Sequence, residues 1–464
     1  MIAIYLNSIT SARKRGFHNK GGSRRRGRYK KMKAFAPSSV RIIPALVAGL
    51  LAAAPLAHAA GFQLSEQSVT GLGRAHAGAG MVGDDLSAVF YNPAGMTLLE
   101  GTQVQGGFTY AEIDAPFEGK GGFPAARQGS DNGRAKAEVI PNAYLVHQLN
   151  DRVRLGLGIT VPFGLGASYG DNWVGRNHGI SSSIMTVDFN PSFAYKLDDK
   201  WSFGAGVSAQ YAKADLKQGA FFQGATGEID ADSWAYGYNL GLMYAFNQDN
   251  RVGLSYRSKL NHKARGDYKA SGFNQASLPG TSIPLPQKFH IDGTYAGGAD
   301  VTTPESLLLS GFSRLNSKWA LSATARWTNW SRFDQLVIKG NPIAETVIDN
   351  HWKASWLFSV GADYTFNEQL TLRSGVGYET SPVRDASYRN PLIPDTDRVW
   401  LSLGASYKAS KQLTVDAGYT YLMGVGDRDI NHTAASPLGN GDTLQGSYSS
   451  IRGHLLGVQM QYKF

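Results

Sequence analysis

Few residues in this chain have the spacing that catalysis or metal binding asks for. Cysteine is absent, which removes disulfides, thiolate nucleophiles and cysteine-held metals. The histidines, His147, His178, His262 and His454 among them, are scattered without ligand spacing, so neither a metal nor another cofactor is expected. Gly71-Leu72-Gly73, followed by Gly78 and Gly80, has the wrong spacing for a dinucleotide loop and no strand before it. Serines are many, but none sits in a recognisable nucleophile elbow, so an enzyme is not expected. What remains is the chemistry of recognition. Glu379 shares face parity with Arg373, and a carboxylate on an enclosed face is costly unless paired or hydrated. It is therefore expected to bond a basic neighbour or the backbone of residues 60–100, and so to help hold that segment in a closed state. Val161-Pro162-Phe163-Gly164 can break a strand, because proline donates nothing to the ladder and glycine weakens pairing. An early strand end at a loop is the other reading of that tetrapeptide.

The elements that position these residues are strands. Short polar turns recur at Leu149-Asn150-Asp151-Arg152, Asp198-Asp199-Lys200, Asn247-Gln248-Asp249-Asn250, Asn316-Ser317-Lys318, Asn367-Glu368 and Ser410-Lys411. Asn, Asp and Ser suit such turns because their side chains bond the backbone two residues on. The flanking segments alternate with period two. In 413–423, Leu413, Val415, Ala417, Tyr419, Tyr421 and Met423 oppose Thr414, Asp416, Gly418 and Thr420. Six turns join twelve strands, and one strand at each end makes fourteen. Longer stretches rich in Gly, Pro and Asn, about 114–133, 218–231, 272–300, 381–396 and 425–446, fall between the hairpins. Aromatics gather at the short turns (Trp201, Phe246, Trp319, Phe366, Tyr407), where amphipathic rings suit a membrane interface. With 18% charged residues and 55 glycines, the pattern predicts an all-β fold: a fourteen-stranded antiparallel transmembrane β-barrel over 103–464.

The ends of the chain agree with that address. Residues 1–59 hold 12 Lys and Arg and no acid. Removing those 12 from the 46 basic residues leaves 34 against 36 acidic ones, so the net charge of +10 belongs to the leader and a nucleic-acid partner is not expected. From Met32, the expected start, a positive segment, an apolar run and Ala57-His58-Ala59 form a signal peptide. The last residues, Leu456 to Phe464, alternate and end on an aromatic carboxylate, which resembles the signal read by the barrel assembly machinery of the Gram-negative outer membrane.

Residues 60–102 do not alternate. They are rich in Gly and Ala with short helical patches, and a fourteen-stranded barrel leaves a lumen in which they could sit as a plug. Gly61-Phe62-Gln63-Leu64, Gly71-Leu72-Gly73-Arg74-Ala75, Asp84-Asp85 and Asn92-Pro93-Ala94 resemble the N-terminal hatch of the FadL-type long-chain fatty-acid transporters. Ser381-Pro382-Val383, Ile393-Pro394-Asp395 and Asp232-Ser233-Trp234 extend the resemblance over about 60–464. The resemblance implies binding of long-chain fatty acids or similar hydrophobic compounds in the lumen. It also implies rearrangement of the hatch and lateral release into outer-membrane lipid through a gap at a kinked third strand. It places Phe62 toward the ligand pocket and Asn92-Pro93-Ala94 against the gap at Pro162, Phe163 and Gly164. The family's two basic head-group positions fall at Gln218 and near Val337 here, with Lys217 and Lys339 close by. By alternation Gln218 would face the lumen and Lys217 outward. That departure keeps neutral aromatic hydrocarbons open as cargo. A general porin is a further alternative, against which the plug argues.

Overall fold

The computed structural model describes residues 61–121, 127–131, 137–220, 222, 224–277, 282–434 and 441–464, without the side chains of 127–131. The expected leader, Met32 included, lies outside the described residues.

Each short polar turn folds as its chemistry asks. Asn150 Oδ1 accepts from the backbone N–H of Arg152 and Val153 at 2.9 and 3.0 Å. Asp198, Asn316, Asn367 and Ser410 make the same pair of bonds at their turns. Between the turns run fourteen antiparallel strands, at 102–114, 138–148, 153–168, 181–196, 201–219, 226–245, 250–271, 293–314, 319–339, 346–365, 370–379, 398–408, 413–424 and 452–463, some with short interruptions. The first strand pairs with both the second and the last, Gln103 opposite Lys463 and Thr102 opposite His147, so the sheet closes on itself and leaves no edge.

Alternation sorts the side chains. Val207, Tyr236, Val360 and Leu403 are exposed on the outer face, where lipid replaces water as their solvent. Their neighbours Ser208, Ser359, Ser402 and Gln210 are buried inside. Several strands run past the expected boundaries. The sixth begins at Thr226, within a stretch read as loop, and four short strands at 117–121, 127–131, 429–434 and 442–448 form a second sheet at the end opposite the short turns.

Residues 61–101 fill the lumen. They form helix α1 (Val69–Leu72), helix α2 (Ala88–Tyr91) and a 3-10 turn at Pro93–Leu98. Ser68 caps α1 by accepting from Gly71 N at 2.8 Å. Small residues let this hatch lie directly on the wall: a Cβ on Gly375 would stand 2.2 Å from the Arg74 carbonyl, and one on Gly73 2.9 Å from Gly404 Cα. Gly78 and Gly80 take φ +73°, a left-handed backbone that glycine adopts without a steric penalty.

Candidate functional site

The wall is breached where the sequence carries Val161-Pro162-Phe163-Gly164. The third strand leaves its ladder after Thr160 and resumes at Gly164. Thr160 faces Asp188 and Gly164 faces Met185, so four steps on the third strand match three on the fourth: the break holds one extra residue. On the other side pairing stops. Second-strand residues 143–148 pair with 154–159, whereas 138–142 pair only with the first strand and 164–168 only with the fourth, among the described residues.

The start of the hatch covers this gap. Leu64 N donates to Pro162 O and Gly164 N donates to Phe62 O, both at 2.8 Å, which makes Gln63 and Phe163 an antiparallel pair. Gln67 Nε2 donates to Val161 O at 2.7 Å, and its Oε1 accepts from Val161 N at 3.2 Å. Phe62 inserts into an aromatic box, with ring centroids 5.9 Å from Phe163, 4.7 Å from Trp330, 5.3 Å from Phe333 and 6.2 Å from Trp352. Edge-to-face rings at these separations are favourable contacts.

Phe62, Pro162, Phe163 and Gly164 thus form one cluster, but Asn92-Pro93-Ala94 does not join it. The expectation that this tripeptide abuts the gap is corrected. Asn92 Nδ2 donates to the carbonyls of Leu242 and Leu254 at 3.1 and 3.3 Å, on the sixth and seventh strands. Pro93 and Ala94 lie over Gly204 and Gly241, where a Cβ would meet them at 2.4 to 2.9 Å. The reason is local: Asn92 caps the turn at Pro93 through Ala94 N, and the bare glycine backbones of the fifth and sixth strands are the surface flat enough to receive it.

One ionic group ties hatch to wall, and a second lies within the wall. Asp84 accepts from Arg74 at 2.7 Å and from Arg373 at 3.1 Å, and Asp363 bonds the same two guanidiniums at 3.0 and 2.9 Å. Asp85 turns inward, accepting from Ser68, Thr70 and Ser87. Glu379 is fully enclosed, with Oε1 2.8 Å from Arg326 and Oε2 4.0 Å from Arg398. The partner Arg326 was within reach of the sequence, since it shares inward parity with Ser322 and Thr324. Trp330 and Trp352 were not, because they lie where strands nine and ten are interrupted.

Beyond the gap lies a cavity of about 540 Å³ bordered by Leu165, Ile184, Leu216, Phe222, Ile338 and Phe333, the last also a wall of the aromatic box. That is enough room for a small amphiphile. Lys217 and Gln218 both border it, contrary to strict alternation. The Lys217 ammonium is held by Asp171 at 2.9 Å, and Gln218 Nε2 donates to Asn177 O at 2.5 Å. Lys339 is half-buried, 3.4 Å from Asp300, and does not border the cavity. The expected lysines therefore offer no unpaired ammonium to a ligand.

A closed fourteen-stranded barrel with a lipid-facing apolar band, a lumen filled by its own N-terminal segment and a breach in its wall defines an outer-membrane transporter of hydrophobic compounds, not a water-filled porin and not an enzyme. The chain belongs to the family described as outer membrane protein transport protein (OMPP1/FadL/TodX), which matches residues 50–464. It is 31% identical over 436 residues to the long-chain fatty acid transport protein of Escherichia coli O6:H1, covering 88% of this chain and 95% of the relative. The crystal structure of a Pseudomonas aeruginosa FadL homologue superposes with a TM-score of 0.77 at 27% identity, over 87% of this chain and all of that one. The Pseudomonas putida toluene transporter TodX shares the fold, with a TM-score of 0.64 at 18% identity over 88% of this chain and 100% of its own.

Proposed function

We propose that this protein takes up long-chain fatty acids or similar hydrophobic compounds, and that they leave sideways through the gap in the third strand. The observation that carries the reading is the opening after Thr160, closed from within by residues 62–67 of the hatch rather than by a neighbouring strand. An apolar ligand gains about 0.8 kcal/mol per methylene removed from water, so a long chain is held first in the cavity beyond the gap. Displacing Phe62 from its aromatic box then connects that cavity to the opening. From there the ligand passes into outer-membrane lipid without crossing a water-filled lumen. The hatch need only withdraw its first residues, and the Asn92 region stays seated on the sixth and seventh strands.

Neutral aromatic hydrocarbons are the second cargo class. The paired state of Lys217 and the outward position of Lys339 favour them, since a buried carboxylate would lack a cation. Phe464, exposed at the end of the last strand, is the contact we assign to the barrel assembly machinery.

The test is deletion of Pro162. One residue fewer restores the register with the fourth strand and returns an N–H to the ladder. The variant should fold, judged by its heat-modifiable mobility, yet lose uptake of labelled oleate in cells lacking their own transporter. Undiminished uptake by the folded variant would favour an axial route.

A further inference from the structure

Two histidines meet at the outer end of the cavity. His178 lies between the third and fourth strands, and His432 on the short strand Asp429–Ala434. Both are buried and both border the cavity. Their Nδ1 atoms are 2.8 Å apart. Behind them, Asp442 Oδ2 stands 3.6 Å from His178 Nε2 and accepts from Asn177 Nδ2 at 3.0 Å.

Two imidazoles facing each other through Nδ1 bond only if one carries a proton there and the other does not. Asp442 settles which. At 3.6 Å the Asp442 carboxylate is too far for a hydrogen bond to His178 Nε2, but its charge draws the proton to that nitrogen, which makes His178 Nδ1 the acceptor and His432 Nδ1 the donor. His432 Nε2 is then left with a lone pair, and no described residue bonds it. Burial keeps His432 neutral, its pKa pushed down to about 3.

We propose that His432 Nε2 is a head-group acceptor in the outer cavity, and that it selects amphiphiles carrying an O–H, namely long-chain alcohols, phenols or undissociated acids. The inference rests on the reading that this cavity admits hydrophobic ligands. The apolar wall around Leu216, Phe222 and Ile338 holds the tail, and the imidazole fixes the polar end. A bare hydrocarbon leaves the acceptor unused. A carboxylate sets its own lone pairs against it, so an ionised acid must take up a proton to bind. Other charged or titratable groups around the pair are Lys217, paired with Asp171; Arg389, paired with Asp427; Tyr388; and the wall acids Glu345 and Asp349. Neither cation is free to draw the proton's place for itself.

The experiment uses the full barrel in lipid nanodiscs, with labelled dodecanol as probe and dodecane and dodecanoate as competitors. Dodecanol should bind about tenfold more tightly than dodecane, the size expected of one hydrogen bond in an enclosed site. His432→Phe should erase that preference. His432→Gln, whose amide oxygen accepts, should retain most of it and guards against a folding defect in the first variant. Calorimetry in two buffers of different ionisation heat should show proton uptake with dodecanoate and none with dodecanol. Equal affinities for dodecanol and dodecane, or a preference that survives His432→Phe, overturns the head-group assignment while leaving hydrophobic binding intact. No binding of dodecane or dodecanol at all overturns the cavity reading and this inference with it.

Discussion

Asp84→Ala should loosen the hatch without unfolding the barrel. Asp84 is one of two carboxylates that Arg74 and Arg373 share, and both guanidiniums are almost wholly buried, at 3% and 4% exposed. Removing one partner of a buried pair costs about 3–5 kcal/mol when nothing replaces it. Here Asp363 still bonds both arginines, and Asp84 is itself 24% exposed, so solvent already screens part of its charge. Those two facts bring the expected cost down to about 2–3 kcal/mol. The strand ladders lose no hydrogen bond, so the cost falls on the closed hatch. At about 1.4 kcal/mol per decade, the hatch should open on the order of a hundredfold more often. The chain has no cysteine, so a single Ala88→Cys in α2 reports that opening through its rate of maleimide labelling under native conditions. In the Asp84→Ala background labelling should accelerate by about that factor while heat-modifiable mobility stays normal. An unchanged rate would show that the ion pairs do not hold the hatch.

Two further substitutions probe the other seats. Asn92→Ala removes two donated bonds to strand carbonyls and the cap on Ala94 N, and should cost the closed hatch about 1–3 kcal/mol, read by the same labelling assay. Gly375→Ala puts a Cβ against the Arg74 carbonyl; it should displace the hatch at a cost of about 1–3 kcal/mol, with faster labelling at Ala88→Cys and an intact barrel.

Much of this architecture was legible because a membrane barrel writes its periodicity plainly. Asn150, Asp198, Asn316, Asn367 and Ser410 mark the short turns by a side-chain bond that needs only local sequence. Period two then places Ser402 inside and Leu403 outside without knowledge of the fold. The same rule misses what lies beyond the membrane. Thr226 to Ala231 is strand, but there the outer face meets water, so Glu228 and Asp230 made it read as loop. Gln218 and Lys217 sit near the end of their strand, still paired with the sixth strand, but on the other side the fourth strand has ended and Gly219 bonds Arg176 of the 169–180 segment, so parity no longer separates lumen from lipid. Trp330 and Trp352 fall in interruptions, where no period says which way a ring points. The seat of Asn92-Pro93-Ala94 depends on where the hatch turns in three dimensions. Its residues state that it caps a turn, and nothing in them names the strands it will meet.

The account's central claim is that the first residues of the hatch must leave the gap in the third strand before a hydrophobic compound can pass. Gln63 and Phe163 face each other as an antiparallel pair flanked by hydrogen bonds rather than sharing them, the kind that brings Cβ atoms closest. With no other thiol in the chain, Gln63→Cys together with Phe163→Cys should form a disulfide that locks the hatch across the opening. Uptake of labelled oleate should fall to background in the oxidised protein and return when the same cells are treated with a reductant. Uptake that is equal in the oxidised and reduced states would contradict the claim.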